Sequence, residues 1–402
     1  MILSLAATLF VLVPFLSWLS SNKLTPNNEL YHENPNEPVL QFELRHLHAV
    51  SPTSGHILFS DVSSQALNTL SGMSDPSGST KSSYIIQSRL SKPIGPRLRS
   101  IEFGENERLD WNEDEILSPN VESLETLREL AKMTNNAYVE PDDPAWYDLH
   151  GNWNVSLPFG WEPDADGFRG HVFATPDNST VVVSIKGTSA AFFGGGGPTA
   201  KKDKLNDNLL FSCCCARVDW TWTTVCDCYR GGWKCDQTCL QTAIITESLF
   251  YPIGTLICFH SPHANIWMIG HSLGGALSSL VGITFGVPVV TFEAPGDRLA
   301  ASRLHLPSPP STHHVTHVYH TADPIPMGHA MVCHLGKSIV FDTVSNASWT
   351  VDIRTHGIVN VIERLLAEPW PPSVDMGREV PEAKAEEDCV ECFSWDFGDF
   401  PA

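Results

Sequence analysis

The run Ile266 to Ala276 carries the strongest chemical signal in the chain, because it contains Gly270-His271-Ser272-Leu273-Gly274. A G-x-S-x-G between an apolar strand-like run and a helix-like run is the setting of a strained nucleophile turn. Side chains two residues either side of such a serine would collide with neighbouring backbone, and Gly270 and Gly274 remove them. Ser272 would then stand at a helix N-terminus, where the Leu273 N–H can stabilise an oxyanion. That is the chemistry of nucleophilic acyl transfer. It needs a base for the serine and a carboxylate to orient the base.

In this kind of site the chain order is Ser, then Asp or Glu, then His. Asp323 lies in Val318-Tyr-His-Thr-Ala-Asp-Pro-Ile-Pro326, at the carboxyl end of a strand-like run, where an α/β sheet presents its reactive groups. Asp297 and Asp342 are the alternatives. Downstream histidines are His329, His334 and His356. His356 enters an amphipathic helix (Ile358, Val361, Ile362, Leu365), the expected place for the base. His271, beside the nucleophile, is expected to pack or bond locally. A second oxyanion donor belongs after an earlier strand, and Val181 to Ser189 supplies it. Gly187 allows the turn, and the N–H and hydroxyl of Thr188 could both face the oxyanion.

These residues need a sheet to hold them. Strand-like runs are Val181–Lys186, Asn265–Ile269, Val287–Phe292, Val315–Tyr319 and Ser338–Phe341. Helix-like stretches are Thr238–Cys258, Leu273–Phe285 and Gly357–Leu366, with another predicted over 113–139. The alternation predicts an α/β-hydrolase fold, a mostly parallel sheet flanked by helices. Residues 140–180 read as loop-rich. The expected division is an anchor at 1–21, an N-terminal region at 22–112, the hydrolase domain at 113–368, and an acidic tail at 369–402 lying outside the core.

Ile2 to Leu19 is an uncharged apolar run interrupted by Pro14. Eighteen helical residues span about 27 Å, near the hydrocarbon thickness of a bilayer. It reads as an uncleaved anchor, with a cleaved signal peptide as the competing reading. The chain has 25 basic and 46 acidic residues and a net charge of −21, which excludes a nucleic-acid partner. Protonating its 17 histidines would offset most of that charge, so an acidic compartment would ease approach to an anionic membrane. Eleven cysteines point to an oxidising compartment, as do acceptor tripeptides for glycosylation at Asn154, Asn178 and Asn346.

Seven cysteines crowd between Cys213 and Cys239. The compartment favours a disulfide patch over a zinc site, and an odd total leaves one thiol over, for which Cys258 is the candidate. No metal and no cofactor is expected. Phe192 to Gly197 with Leu209-Leu210-Phe211 is a candidate lid beside the oxyanion loop.

Ile185-Lys-Gly-Thr188, Gly270-His-Ser-Leu-Gly274 and Asp323-Pro-Ile-Pro326 resemble the class 3 lipases. Gly270 to Leu280, Phe292-Glu-Ala-Pro-Gly296, His320 to Pro326 and Cys389 to Trp395 resemble, more narrowly, the fungal autophagic-body lipases. The resemblance implies a single-pass type II glycoprotein that passes through endoplasmic reticulum, Golgi and multivesicular endosomes to the vacuole lumen. It implies hydrolysis of membrane phospholipids and glycerides, with Ser272, Asp323 and His356 as triad and Thr188 at the oxyanion position. The competing readings are a secreted serine esterase on soluble or polymer esters, a binding module on an inactive hydrolase fold, and a structural membrane protein.

Overall fold

The computed structural model describes residues 46–50, 57–61, 83–87 and 113–400, apart from 150–152, 162–166, 178, 190–198, 218–222, 247–249, 258–264, 307–308, 310 and 328–331. The apolar N-terminal run, the Phe192 to Gly197 segment, Asn178, Cys258 and His329 therefore lie outside the described residues. Among the described residues no helix is long and apolar enough to cross a membrane.

The strands in chain order are β1 (His46–Val50), β2 (Ile57–Asp61), β3 (Ser83–Gln87), β4 (Glu113–Leu117), β5 (Asn154–Phe159), β6 (Gly170–Ala174), β7 (Thr180–Ile185), β8 (Lys234–Asp236), β9 (Asn265–His271), β10 (Val289–Phe292), β11 (Val315–His320), β12 (Lys337–Phe341) and β13 (Asp396–Gly398). The helices used below are α1 (Leu124–Asn136), α2 (Ala200–Leu210), α3 (Gln237–Thr246), α4 (Phe250–Ile257), α5 (Leu273–Phe285), α6 (Arg298–Arg303) and α7 (Thr343–Ala347). A 3₁₀ turn at Ile353–His356 then leads into a helical stretch from Ile358 to Leu365.

Seven strands form the central sheet, in the order β12-β11-β10-β9-β7-β6-β5. From β7 to β12 the pairings are parallel, and β6 and β5 add antiparallel strands at one edge. Strands buried on both faces need apolar residues of both parities, and β7 and β9 show the division. Val182, Trp267 and Ile269 face α1 and the C-terminal helix, while Val181, Val183, Ile185, Ile266 and Met268 face α5 and its neighbours. The sheet with helices on both faces is the α/β-hydrolase arrangement.

The predicted helix over 113–139 begins only at Leu124. Residues 113–117 pair with β3 instead. Pro119 disfavours helical backbone at Ser118, so the helix restarts where the Ser123 hydroxyl accepts the Thr126 N–H at 3.3 Å. The stretch read as loop-rich contributes β5 and β6. Pro158 lies in β5, which is an edge strand and can spare the missing N–H. The single helix expected over Thr238–Cys258 is two, because Pro252 fits the first turn of α4 but not a helix interior.

The tail expected to lie outside the core is tied to it. Lys384 and Ser338 exchange backbone hydrogen bonds of 2.7 and 3.0 Å, which covers the exposed edge of β12. The Glu379 carboxylate accepts the Leu124 N–H at 2.9 Å at the start of α1. Trp370 packs on Phe341 with ring centroids 5.3 Å apart. The cysteine cluster is a set of disulfides, Cys214–Cys235, Cys215–Cys226 and Cys228–Cys239, while Cys213–Cys392 and Cys333–Cys389 reach the tail. Among the described residues every cysteine is paired.

Candidate active site

The carboxyl edge of the parallel strands gathers the candidate residues. β9 ends at His271, α5 starts at Leu273, and Ser272 between them has φ 57° and ψ −130°. Such backbone is costly for a non-glycine residue and holds the side chain out of the turn. The crowding that the glycines were expected to relieve is present. A Cβ on Gly270 would lie 2.4 Å from the Gly274 carbonyl, and one on Gly274 would lie 2.1 Å from the Ile185 oxygen of β7.

Ser272 Oγ lies 2.8 Å from His356 Nε2, and His356 Nδ1 lies 2.6 Å from Asp323 Oδ2. With the proton on Nδ1, that nitrogen donates to Asp323, and Nε2 is free to accept from the serine hydroxyl. Asp323 is fully buried, and its other oxygen accepts the Ile325 N–H at 2.9 Å. Burial alone would raise the Asp323 pKa. The neighbouring His356 and the hydrogen bonds from His356, Glu293 and Ile325 outweigh it and hold the carboxyl below its ordinary value.

His271 is not a base here. Burial and the adjacent His356 hold its pKa down at about 3, so it is neutral. Its Nε2 donates to the His356 carbonyl at 2.7 Å, and its Nδ1 accepts from Tyr138 Oη at 2.7 Å. The same Tyr138 oxygen accepts the Gly187 N–H at 3.1 Å. The Gly187 turn runs against Ser272, since a Cβ there would lie 3.1 Å from Ser272 Cβ and 2.3 Å from Tyr138 Oη. Thr188 follows immediately. Its hydroxyl donates to Asp207. Burial raises the Asp207 pKa to about 7 despite that bond. Asp203, one turn earlier on α2, accepts the Ser189 N–H at 2.9 Å and lies 3.3 Å from Lys186 Nζ.

Tyr138, Asp203, Asp207 and Glu293 therefore belong to the site although no motif announces them. The one signal available was the i, i+4 pair of aspartates on α2. The alternatives go elsewhere. Asp342 caps α7 by accepting the Ser345 N–H at 3.1 Å. Asp297, His317 and His334 form a separate buried cluster with the half-buried Glu386, whose carboxylate lies 2.7 Å from His334 Nδ1. Of the expected glycosylation acceptors, Asn346 is exposed on α7, and Asn154 lies in β5.

No family model matches the chain. Curated fungal proteins do. The protein named "Putative lipase ATG15" from Cryptococcus neoformans var. neoformans serotype D strain B-3501A is 47% identical, with 72% of this chain and 70% of the relative covered. Its namesake from Saccharomyces cerevisiae strain S288c is 42% identical over 73% of this chain and 60% of the relative. A crystal structure of the Lip2 lipase from Yarrowia lipolytica matches at 16% identity over 56% of this chain and 81% of that one, with a TM-score of 0.32, too distant to add to the fold read from the sheet itself. The identity and coverage shared with the fungal relatives make this chain a member of the ATG15 lipase family and a carboxylic ester hydrolase.

Proposed function

We propose that the chain is a membrane-anchored lipase of an acidic lumen that cleaves acyl esters of phospholipids and glycerides, with Ser272, His356 and Asp323 as its catalytic triad. The observation that carries this is the unbroken hydrogen-bonded run from Asp323 through His356 to Ser272 at the strained turn. His356 takes the Ser272 proton as Oγ attacks the ester carbonyl, and Asp323 steadies the resulting imidazolium. The N–H groups of Thr188 and Leu273 stabilise the oxyanion. The imidazolium then protonates the departing alcohol. Water, deprotonated by His356, hydrolyses the acyl-enzyme.

Lipid as substrate is supported by the surroundings of the site. Met327, Val344, Val351 and Val359 are 40–54% exposed, and all lie in segments that follow β11 and β12 beside the triad. Exposed apolar side chains in the segments that carry Asp323 and His356 suit a surface that rests on lipid. The uncharged run Ile2 to Leu19 is the proposed anchor, preceding an N-terminal region at 22–112 and the hydrolase domain at 113–368, extended by the tail at 369–402. The disulfides fit a luminal location, and the acceptors Asn154, Asn178 and Asn346 would be glycosylated there. The ATG15 name of the relatives supports a place in autophagy, where membranes delivered to a vacuole must be broken down. The chain would reach it through endoplasmic reticulum, Golgi and multivesicular endosomes as a type II membrane protein.

The test uses the detergent-solubilised full chain and its Ser272→Ala variant on phosphatidylcholine vesicles, a triglyceride emulsion and a short soluble ester, at pH 5 and pH 7. Ser272→Ala is expected to lose hydrolysis by about 10⁴-fold or more while melting like the parent. Activity confined to the soluble ester points to a secreted-type esterase. Equal activity in both proteins removes Ser272 as nucleophile.

A further inference from the structure

Glu293 follows directly on β10 and is completely buried. Its φ is 46°, a left-handed value that favours glycine over any residue with a side chain. A backbone held there against its preference is a reason to ask what the side chain does. Its N–H is tied to the Val318 carbonyl at 2.9 Å, so the residue is fixed between β10 and β11. One carboxyl oxygen accepts the His320 N–H at 3.4 Å. Its other oxygen, Oε1, is buried with no hydrogen-bond partner, and the carboxyl lies against that of Asp323.

Two carboxylates cannot share a hydrogen bond, since neither has a proton to donate. Like charges at contact in a buried site cannot both be ionised either. One member of the pair therefore keeps a proton. Asp323 faces His356 Nδ1 at 2.6 Å and the Ile325 N–H at 2.9 Å, both donors, so it is the member that stays charged. Glu293 has no comparable partner. His320 Nε2 lies 3.7 Å from Glu293 Oε1 but is held neutral by its burial, and Nε2 is engaged by the Thr355 carbonyl at 3.3 Å. Tyr319 on β11 stays a neutral phenol, and Arg364 of the last helix acts on His320 rather than on Glu293. Burial and the charge of Asp323 push the Glu293 carboxyl well above its ordinary value.

We infer that Glu293 is a positioning residue of this site: a protonated carboxylic acid that donates its hydrogen to Asp323 and keeps it a carboxylate facing His356 in acid surroundings. The inference rests on the triad proposed above and extends it to a fourth member. A donor on Asp323 spreads the negative charge of that carboxylate. Spreading it weakens the hold of the Asp323–His356 pair on an extra proton. The base then stays neutral, and able to accept from Ser272, to lower pH than it would beside an unassisted aspartate. An acidic lumen would otherwise protonate the base and stop the reaction.

The experiment compares kcat/KM of the detergent-solubilised full chain with Glu293→Leu and Glu293→Gln on a soluble nitrophenyl ester from pH 4 to pH 8. Labelling of Ser272 by a fluorophosphonate runs in parallel. Leucine fills the space but donates nothing. Glutamine offers an uncharged N–H donor in the same place. Glu293→Leu is expected to lose about tenfold or more in kcat/KM at pH 5, with its acid limb moved up by about one pH unit. Glu293→Gln is expected to recover most of both. If Glu293→Leu does not fold, Glu293→Asp, which draws the carboxyl back from Asp323 by one methylene, should show the same displaced limb. An unmoved acid limb in Glu293→Leu, or a Glu293→Gln limb as displaced as that of Glu293→Leu, overturns the inference. Failure of the fluorophosphonate to label Ser272 in the parent overturns the triad instead.

Discussion

Tyr138 joins two parts of the site that are far apart in sequence. Its hydroxyl accepts from Gly187 at the turn before Thr188 and donates to His271, which in turn holds the His356 carbonyl. A single phenol thus sets the spacing between the turn carrying Thr188 and the loop carrying His356. Tyr138→Phe removes the oxygen and leaves the buried Gly187 N–H and His271 Nδ1 without partners. We expect it to cost about 1–3 kcal/mol of stability, read as a shift in urea midpoint, and to lower kcat more than it raises KM. A fall in stability with kcat intact would show that the network holds the fold but not the reactive geometry. The carboxylates divide along similar lines. Asp323 could be chosen from sequence because a strand end and a stiff proline turn place it. Glu293 could not, since its role depends on a neighbour thirty residues away.

The turn from β9 to α5 brings three close approaches into one element. Gly270 lies against Gly274, Gly274 against the end of β7, and Gly275 against Gly270 and the side chains of Thr291 and Ala294. Gly274→Ala would drive a methyl to 2.1 Å from the Ile185 oxygen, a backbone atom that cannot rotate away. Because Ile185 leads into Lys186-Gly187-Thr188, the collision would also displace the turn that carries Thr188. We expect a loss of about 1–3 kcal/mol in thermal unfolding together with markedly slower fluorophosphonate labelling of Ser272. Labelling at the parental rate would mean that the turn absorbs the methyl elsewhere. This element was legible because its spacing rule is local. The start at Leu124 and the division of Thr238–Cys258 were harder to place, since the apolar periodicity runs across Pro119, which precedes α1, and Pro252, which lies in the first turn of α4.

At the scale of the whole molecule the tail acts as a strap. Two disulfides, the Lys384–Ser338 bonds and the His334–Glu386 ion pair hold it on the sheet edge. Burial opposes charge on both partners of that pair, but their mutual contact prevails: it raises His334 and lowers Glu386 to about 2. A raised histidine contributes fully below its ordinary 6.5 and loses the contribution as pH rises through its folded value. A lowered glutamate contributes fully above its ordinary 4.5 and loses it as pH falls toward 2. The strap is therefore tightest in mild acid, from about pH 4.5 to 6.5. His334→Gln should lower the melting temperature most near pH 5–6 and progressively less toward pH 8, in scans without reductant. A constant difference across that range would mean the pair is not charged in the fold. Other groups pull both ways: burial lowers His271 and His314 to about 3 and 4, and raises Asp207 and Asp297 to about 7 and 6, so the parent's own profile should be broader than this difference.

Sequence by itself marked the strained turn at Ser272, the three side chains that hydrogen bonds join there, the run of parallel strands and the disulfide character of the cysteine cluster. Each of these follows from short-range rules: steric room around Ser272, apolar residues of both parities in a doubly covered strand, and the crowding of seven cysteines between Cys213 and Cys239. The antiparallel strands β5 and β6, the partner of each cysteine and the docking of the tail were decided only by tertiary structure. So were the contacts of Tyr138, Asp203, Asp207 and Glu293. In every such case the deciding energy comes from groups distant in the chain, as when a buried carboxyl keeps its proton because another carboxyl already holds the charge beside it.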